Sequence, residues 1–209
     1  MNNKNIVQDI NVPFDEIFIP SKGIFYENKK DSFLVKYMLI GDRDAFFIYL
    51  RSTSYGDKLS FKFNCQHCGA ESDCDILLSQ LEMKEVEEQP NEKGEFLYTL
   101  PKMKIKLTQE GERESVNIKF KPRTVGDEIE IKRLTKNLKK TLTGIEIDSS
   151  IEARYVVQIS SINGIEDKNF IKSIIKRMPI SDSSLLREYM DKIEPGIENK
   201  AVSSCGSCQ

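Results

Sequence analysis

Two Cys-x-x-Cys pairs constrain this chain more than any other feature: Cys65-Gln66-His67-Cys68, and far downstream Cys205-Gly206-Ser207-Cys208. Each pair puts two thiols on one tight turn, which suits half of a tetrahedral sulfur site. Together they supply four ligands, the full coordination of a structural Zn²⁺. On that reading the second pair returns to the first and is clipped there by metal. The bland alternative is a set of unrelated thiols, with the second pair on a frayed tail. An iron–sulfur cluster is disfavoured because the first pair does not extend into a Cys-x-x-Cys-x-x-Cys run. A thioredoxin-type redox pair needs a βαβ setting, and both flanks here read as strand or coil. Cys74 reads as a small buried residue on the outgoing strand, with service as a substitute ligand the alternative.

The 209 residues suffice for one large domain or two small ones. Lys+Arg 31 against Asp+Glu 33 leaves a net charge of -2, with the signs interspersed, so there is no basic footprint for nucleic acid or an acidic membrane. The longest apolar run, residues 45–50, is far too short to span a bilayer. The polar opening Met1-Asn2-Asn3-Lys4-Asn5 offers no signal-peptide core. The chain is therefore expected in a reducing compartment, where closely spaced cysteines favour metal over disulfide.

The pattern along the chain predicts an α+β fold. Residues 14–19 are β-prone and lead into a Pro20-Ser21-Lys22-Gly23 turn; residues 32–40 predict a second strand. Asp42 or Asp44 is placed to cap a short buried helix carrying Phe46, Phe47, Ile48 and Leu50, ending near Tyr55-Gly56. Phe61 and Phe63 alternate with polar residues on a strand entering the first cysteine turn, and Ile76 and Leu77 lie on the strand leaving it. This strand–knuckle–strand pattern is half of a zinc ribbon. Residues 84–95 are charged and aperiodic, which predicts an exposed loop. Three short strands are expected next, from Phe96/Tyr98/Leu100, Met103/Ile105/Leu107 and Val116/Ile118/Phe120, each with one buried and one wet face.

After Pro122 the period becomes helical. Thr124-Val125-Gly126-Asp127 resembles a capping box with Asp for Glu, opening a helix with the stripe Ile131, Leu134, Leu138 and Leu142. A second helix is predicted to bury Ile151, Tyr155, Ile159 and Ile162 and to stop at Asn163-Gly164. A third starts at Asp167, buries Phe170, Ile171, Ile174, Ile175 and Met178, and ends at Pro179. A fourth starts near Ser181-Asp182 and buries Leu185, Leu186, Tyr189, Met190 and Ile193. The division expected is a β-rich part with the first cysteine pair over 1–123, a helical part over 124–198, and a tail over 199–209 that returns to the zinc site.

Catalytic patterns are missing. His67, the single histidine, sits inside a cysteine turn, where a solvated knuckle residue is the simplest reading. The sequence contains no Gly-x-x-x-x-Gly-Lys-Ser/Thr loop and no His-Glu-x-x-His. A closed thiolate site has no open position for substrate, so its metal would supply folding energy rather than chemistry. The segment from Glu16 to Tyr26 carries more apolar residues around its turn than a hairpin tip needs. Phe18, Phe25 and Tyr26 are therefore candidate partner-binding residues, with a cover over the protein's own core as the alternative.

Several of these pieces in order resemble the T-even-type phage baseplate hub assembly proteins. They are Ile19-Pro20-Ser21-Lys22-Gly23-Ile24-Phe25-Tyr26, Asp42-Arg43-Asp44, Leu50-Arg51-Ser52-Thr53-Ser54-Tyr55-Gly56 and the first cysteine pair. Thr124-Val125-Gly126-Asp127, Ile162-Asn163-Gly164, Pro195-Gly196 and the second cysteine pair follow. The resemblance implies a non-enzymatic protein of a contractile-tailed phage, an assembly factor or minor component of the central baseplate hub. Its partners would be other hub proteins, met in the host cytoplasm during assembly or in the virion tail. A rival of another class is a cytosolic zinc-ribbon adaptor for nucleic acid. Its one candidate surface is the Lys102, Lys104 and Lys106 strand, and the balanced charge disfavours it.

Overall fold

The computed structural model describes residues 19–21, 25–26, 35–107, 111–141, 150–198 and 205–208. Its centre is a three-stranded antiparallel sheet in the order β4-β5-β6, formed by β4 (Phe96–Ile105), β5 (Glu114–Phe120) and β6 (Ile159–Ile162). The middle strand follows the predicted period of two. Val116, Ile118 and Phe120 are fully buried, while Ser115, Asn117 and Lys119 face water. Tyr155, Ile171, Ile174, Leu186, Met190 and Ile193 close over the buried face from three helices. These are α3 (Ser150–Gln158), α4 (Lys168–Arg177) and α5 (Ile180–Ile193). The protein is thus α+β, with the strands concentrated early and the helices late.

Two expectations about the sheet need correction. The strands predicted at 96–100 and 103–107 are one ten-residue strand, and Leu107 lies beyond it. Its register shifts between Thr99 and Lys104, where Pro101 cannot donate to the ladder. There the Asp182 carboxylate on α5 accepts from the Met103 amide at 2.7 Å. The second correction is β6. Ile159 and Ile162 fit a helical stripe by spacing, but the helix ends at Gln158 and the chain continues as an edge strand along β5. Four residues of strand satisfy the free edge of β5, and this tertiary pairing overrides a local pattern compatible with either state. Asn163 and Gly164 then turn the chain with φ of 48° and 82°, the left-handed region those two residue types tolerate best.

The helix boundaries follow from caps. Before α2 (Val125–Thr141), the Thr124 amide donates to the Asp127 carboxylate at 2.8 Å, and the Asp127 amide donates to Thr124 Oγ1 at 3.2 Å. The reciprocal box forms with Asp in place of Glu. Asp167 caps α4 by accepting from the Phe170 amide at 2.7 Å. On α5 the predicted stripe holds at Leu186, Met190 and Ile193, whereas Leu185 keeps 41% exposure.

The region before the ribbon departs further from expectation. Among the described residues of the predicted 32–40 strand, Val35–Tyr37 is a 3₁₀ turn and Leu39 makes a single bridge to Thr124. Helix α1 (Ile40–Tyr55) then runs sixteen residues, with Leu39 at its N-cap and Gly56 as its C-cap. Its covered face is Gly41, Asp42 and Ala45, not the aromatic one. Phe46, Phe47 and Leu50 point outward at 38%, 56% and 41% exposure. A Cβ on Gly41 would lie 2.2 Å from the Pro195 carbonyl oxygen, so only glycine allows α1 to meet the Pro195-Gly196 corner this closely.

Candidate metal centre

The ribbon begins as a hairpin of β1 (Lys58–Asn64) and β2 (Glu71–Leu77), paired from Lys58↔Leu77 to Asn64↔Glu71. One face carries Leu59, Phe61 and Phe63 opposite Ile76, Cys74 and Ser72. The other carries cross-strand ion pairs, Lys58–Asp75 at 2.8 Å and Lys62–Glu71 at 2.6 Å. At the tip the Cys65 amide donates to the Ala70 carbonyl, and the Gly69 amide donates to the Cys65 carbonyl, both at 2.9 Å. This tight turn places the Cys65 and Cys68 sulfurs on one side.

The second pair arrives by a route the sequence conceals. After α5, β7 (Gly196–Ile197) pairs antiparallel with β3 (Met83–Lys84), and the Glu198 amide donates to the Glu82 carbonyl at 2.9 Å. The chain is thereby aimed back along the segment that leaves the hairpin. The expected exposed loop at 84–95 therefore opens on a paired residue, and it also buries Val86, whose amide donates to the Pro20 carbonyl.

The four sulfurs of Cys65, Cys68, Cys205 and Cys208 all lie within 4.8 Å of one another. Cys65 Sγ is 3.7 Å from Cys208 Sγ, and Cys68 Sγ is 3.6 Å from Cys205 Sγ. A tetrahedron with metal–sulfur bonds of about 2.3 Å has edges of about 3.8 Å, so these separations fit a shared ion. All five cysteines are free of disulfides, and buried Cys74, at 5% exposure on β2, is outside the group. The Ser207 amide and the Ser72 hydroxyl lower the Cys205 thiol to about 6. The amides of Cys68 and His67 lower Cys65. Hydrogen bonds to Cys68, Cys65 and Cys205 favour the protonated form of Cys208 and push it up to about 12. Four such thiols are the donor set that a structural Zn²⁺ would take as thiolates.

The proposed partner-binding residues lie elsewhere. Phe18 falls outside the described residues. Phe25 is half-buried, its ring 6.4 Å from that of Phe96. The Tyr26 hydroxyl donates to the Asp42 carboxylate and accepts from the Leu39 amide at 2.9 Å. Burial, then the Asp42 carboxylate, raises the Tyr26 phenol. Asp42 itself is 1% exposed and also accepts from the Ser21 amide at 2.9 Å and the Ser21 hydroxyl. Asp42 or Asp44 is the helix cap expected from the sequence; Asp42 is instead a buried clasp joining Ser21 and Tyr26 to α1. Its immediate sequence neighbours, Gly41 and Arg43, give no local signal of that burial.

Fold and site together define an α+β protein whose one end is a ribbon-like four-cysteine cluster. Residues 22–209 match the sequence pattern of a family described as T4 bacteriophage base plate protein, and the chain belongs to that family. No curated protein and no solved structure matches it.

Proposed function

We propose that the protein is a non-enzymatic assembly factor or minor component of the central hub of the phage tail baseplate, working by contact with other hub proteins in the host cytoplasm while the tail is built. Membership of the baseplate family and the ordered resemblance to hub assembly proteins support this reading. The observation that carries it is the outward face of α1. Phe46, Phe47 and Leu50 lie at helical spacing, and Tyr55 at the end of the helix is 80% exposed. Arg51 lies over the Tyr55 ring at 5.1 Å, and aromatic side chains together with arginine are what protein interfaces are enriched in.

The cysteine cluster takes one structural Zn²⁺ in this reading, held by Cys65, Cys68, Cys205 and Cys208. The ion contributes folding energy and no open coordination site. Residues 1–123 then carry α1, the ribbon and most of the sheet, 124–198 the other four helices with β6, and 199–209 the return to the metal. An enzyme using clustered carboxylates would need a concave pocket on which they converge. The pocket of about 230 Å³ between α1 and the end of α5 is lined by the carboxylates of Asp44, Asp191, Glu194 and Glu198, and the first three are each engaged by an arginine. Arg43 holds Asp44, Arg154 holds Asp191, and Arg123 holds Glu194 at 2.7 Å.

Phe18, Phe25 and Tyr26 remain proposed contact residues on the neighbouring segment. Because Phe25 touches Phe96 and Tyr26 holds Asp42, Phe47 and Leu50 give the cleaner test. Substituting both by serine should leave circular dichroism and metal content unchanged while the protein no longer co-purifies with tail proteins from infected cells, as identified by mass. Normal baseplate assembly in infections lacking the protein would overturn the role.

A further inference from the structure

One hydroxyl outside the four thiols faces the cluster. Cys205 is the best-covered of the four ligand candidates, at 8% exposure, and its sulfur accepts two hydrogen bonds. The Ser207 amide donates to it from the same turn at 3.4 Å. The Ser72 hydroxyl donates at 3.6 Å across a sequence separation of 133 residues. Ser72 lies on β2, paired with Phe63 just inside the knuckle, on the face that also carries Cys74 and Ile76. The bond therefore runs from the hairpin to a sulfur supplied by the returning tail.

We propose that Ser72 is a positioning residue of the metal centre, its hydroxyl orienting the Cys205 sulfur toward the shared ion. The inference rests on the zinc reading above. Four thiolates around a divalent ion leave an excess of two negative charges, and a donor aimed at one sulfur spreads that charge. Cys205 is the sulfur least able to obtain such a bond from water, so a protein donor matters most there. The hydroxyl also fixes the tail sulfur's direction before the ion arrives. Partners of this kind commonly change metal affinity by about 10–100-fold.

The test uses the full chain, reduced and stripped of metal, then loaded with Co²⁺ and with Zn²⁺ against a chromophoric chelator. Ser72→Ala should weaken Zn²⁺ binding by about 10-fold and move the sulfur-to-cobalt charge-transfer band. Ser72→Thr, which keeps the hydroxyl, should restore both. Ser60→Ala, on the opposite face of the hairpin, should change neither. Unchanged affinity and an unmoved band in Ser72→Ala would overturn the role of Ser72 while leaving the metal site standing. Failure of the unsubstituted protein to take up either ion would overturn the metal reading itself. A band shift shared equally by Ser72→Thr would show that the hydroxyl is not the active group, and would also overturn the proposal.

Discussion

On β5 three successive inward side chains, Val116, Ile118 and Phe120, have no exposed surface, whereas on β1 the inward set of Leu59, Phe61 and Phe63 is only partly covered and Phe61 keeps 41% exposure. The first strand lies in the middle of a sheet with helices closed over one face. The second belongs to an isolated two-stranded hairpin, an arrangement that is marginal in water by itself. The body thus secures its shape by excluding water from apolar surface. The ribbon has too little such surface and gathers four sulfurs instead. The two regions contrast a packed core with a hairpin for which the proposed metal cross-link would substitute for a core.

The comparison breaks most visibly in the body. Phe120→Ala empties space among Phe96, Tyr189 and the sheet, and should cost about 3–5 kcal/mol of global stability in denaturant titration. Metal content of the remaining folded protein should not change. Removing the proposed metal with a chelator, or replacing a proposed ligand in Cys208→Ser, should act only on the ribbon. The tail should become open to proteolysis and the ribbon thiols to alkylation, with amide exchange on β5 unaltered. Cys74→Ser should be milder than Cys208→Ser. Loss of β5 protection on chelation would show that the two regions are one cooperative unit. Smaller still is the clasp: Asp42→Ala removes the acceptor shared by Ser21 and Tyr26 and should cost about 1–3 kcal/mol. Its effect should fall on protection of the Leu39 amide and the start of α1, measured by hydrogen exchange.

Much of this was legible where one local rule decides. Alternation marked β5, Thr124 with Asp127 marked the start of α2, Asp167 and Pro179 bracketed α4, and the cysteine spacing marked the cluster. What escaped depends on partners distant in the chain. Ile159 and Ile162 carry a pattern that serves helix or strand, and the vacant edge of β5 decides between them. The two-residue pairing of β3 with β7 involves Gly196 and leaves no periodic trace. Asp42 looks like a cap until Ser21 and Tyr26 are seen to converge on it from 21 and 16 residues away. The aromatic residues of α1 suggested burial by composition alone, and composition does not say whether the cover is the protein's own.

The position of β6 carries a consequence for the order in which the molecule can assemble itself. The β4–β5 hairpin closes over a short connection, and such events take about 1–10 μs. β6 pairs with the same central strand only after α2 and α3 have been traversed, so the sheet's second seam is a long-range contact that pays loop closure before any pairing is gained. The rate-limiting ensemble is therefore expected to have the hairpin formed and the β5–β6 seam in formation. Substitutions such as Ile162→Val should slow refolding, while Ile174→Val on α4 should chiefly speed unfolding. The seam hidden in a helical-looking sequence would then set the pace at which the whole body closes.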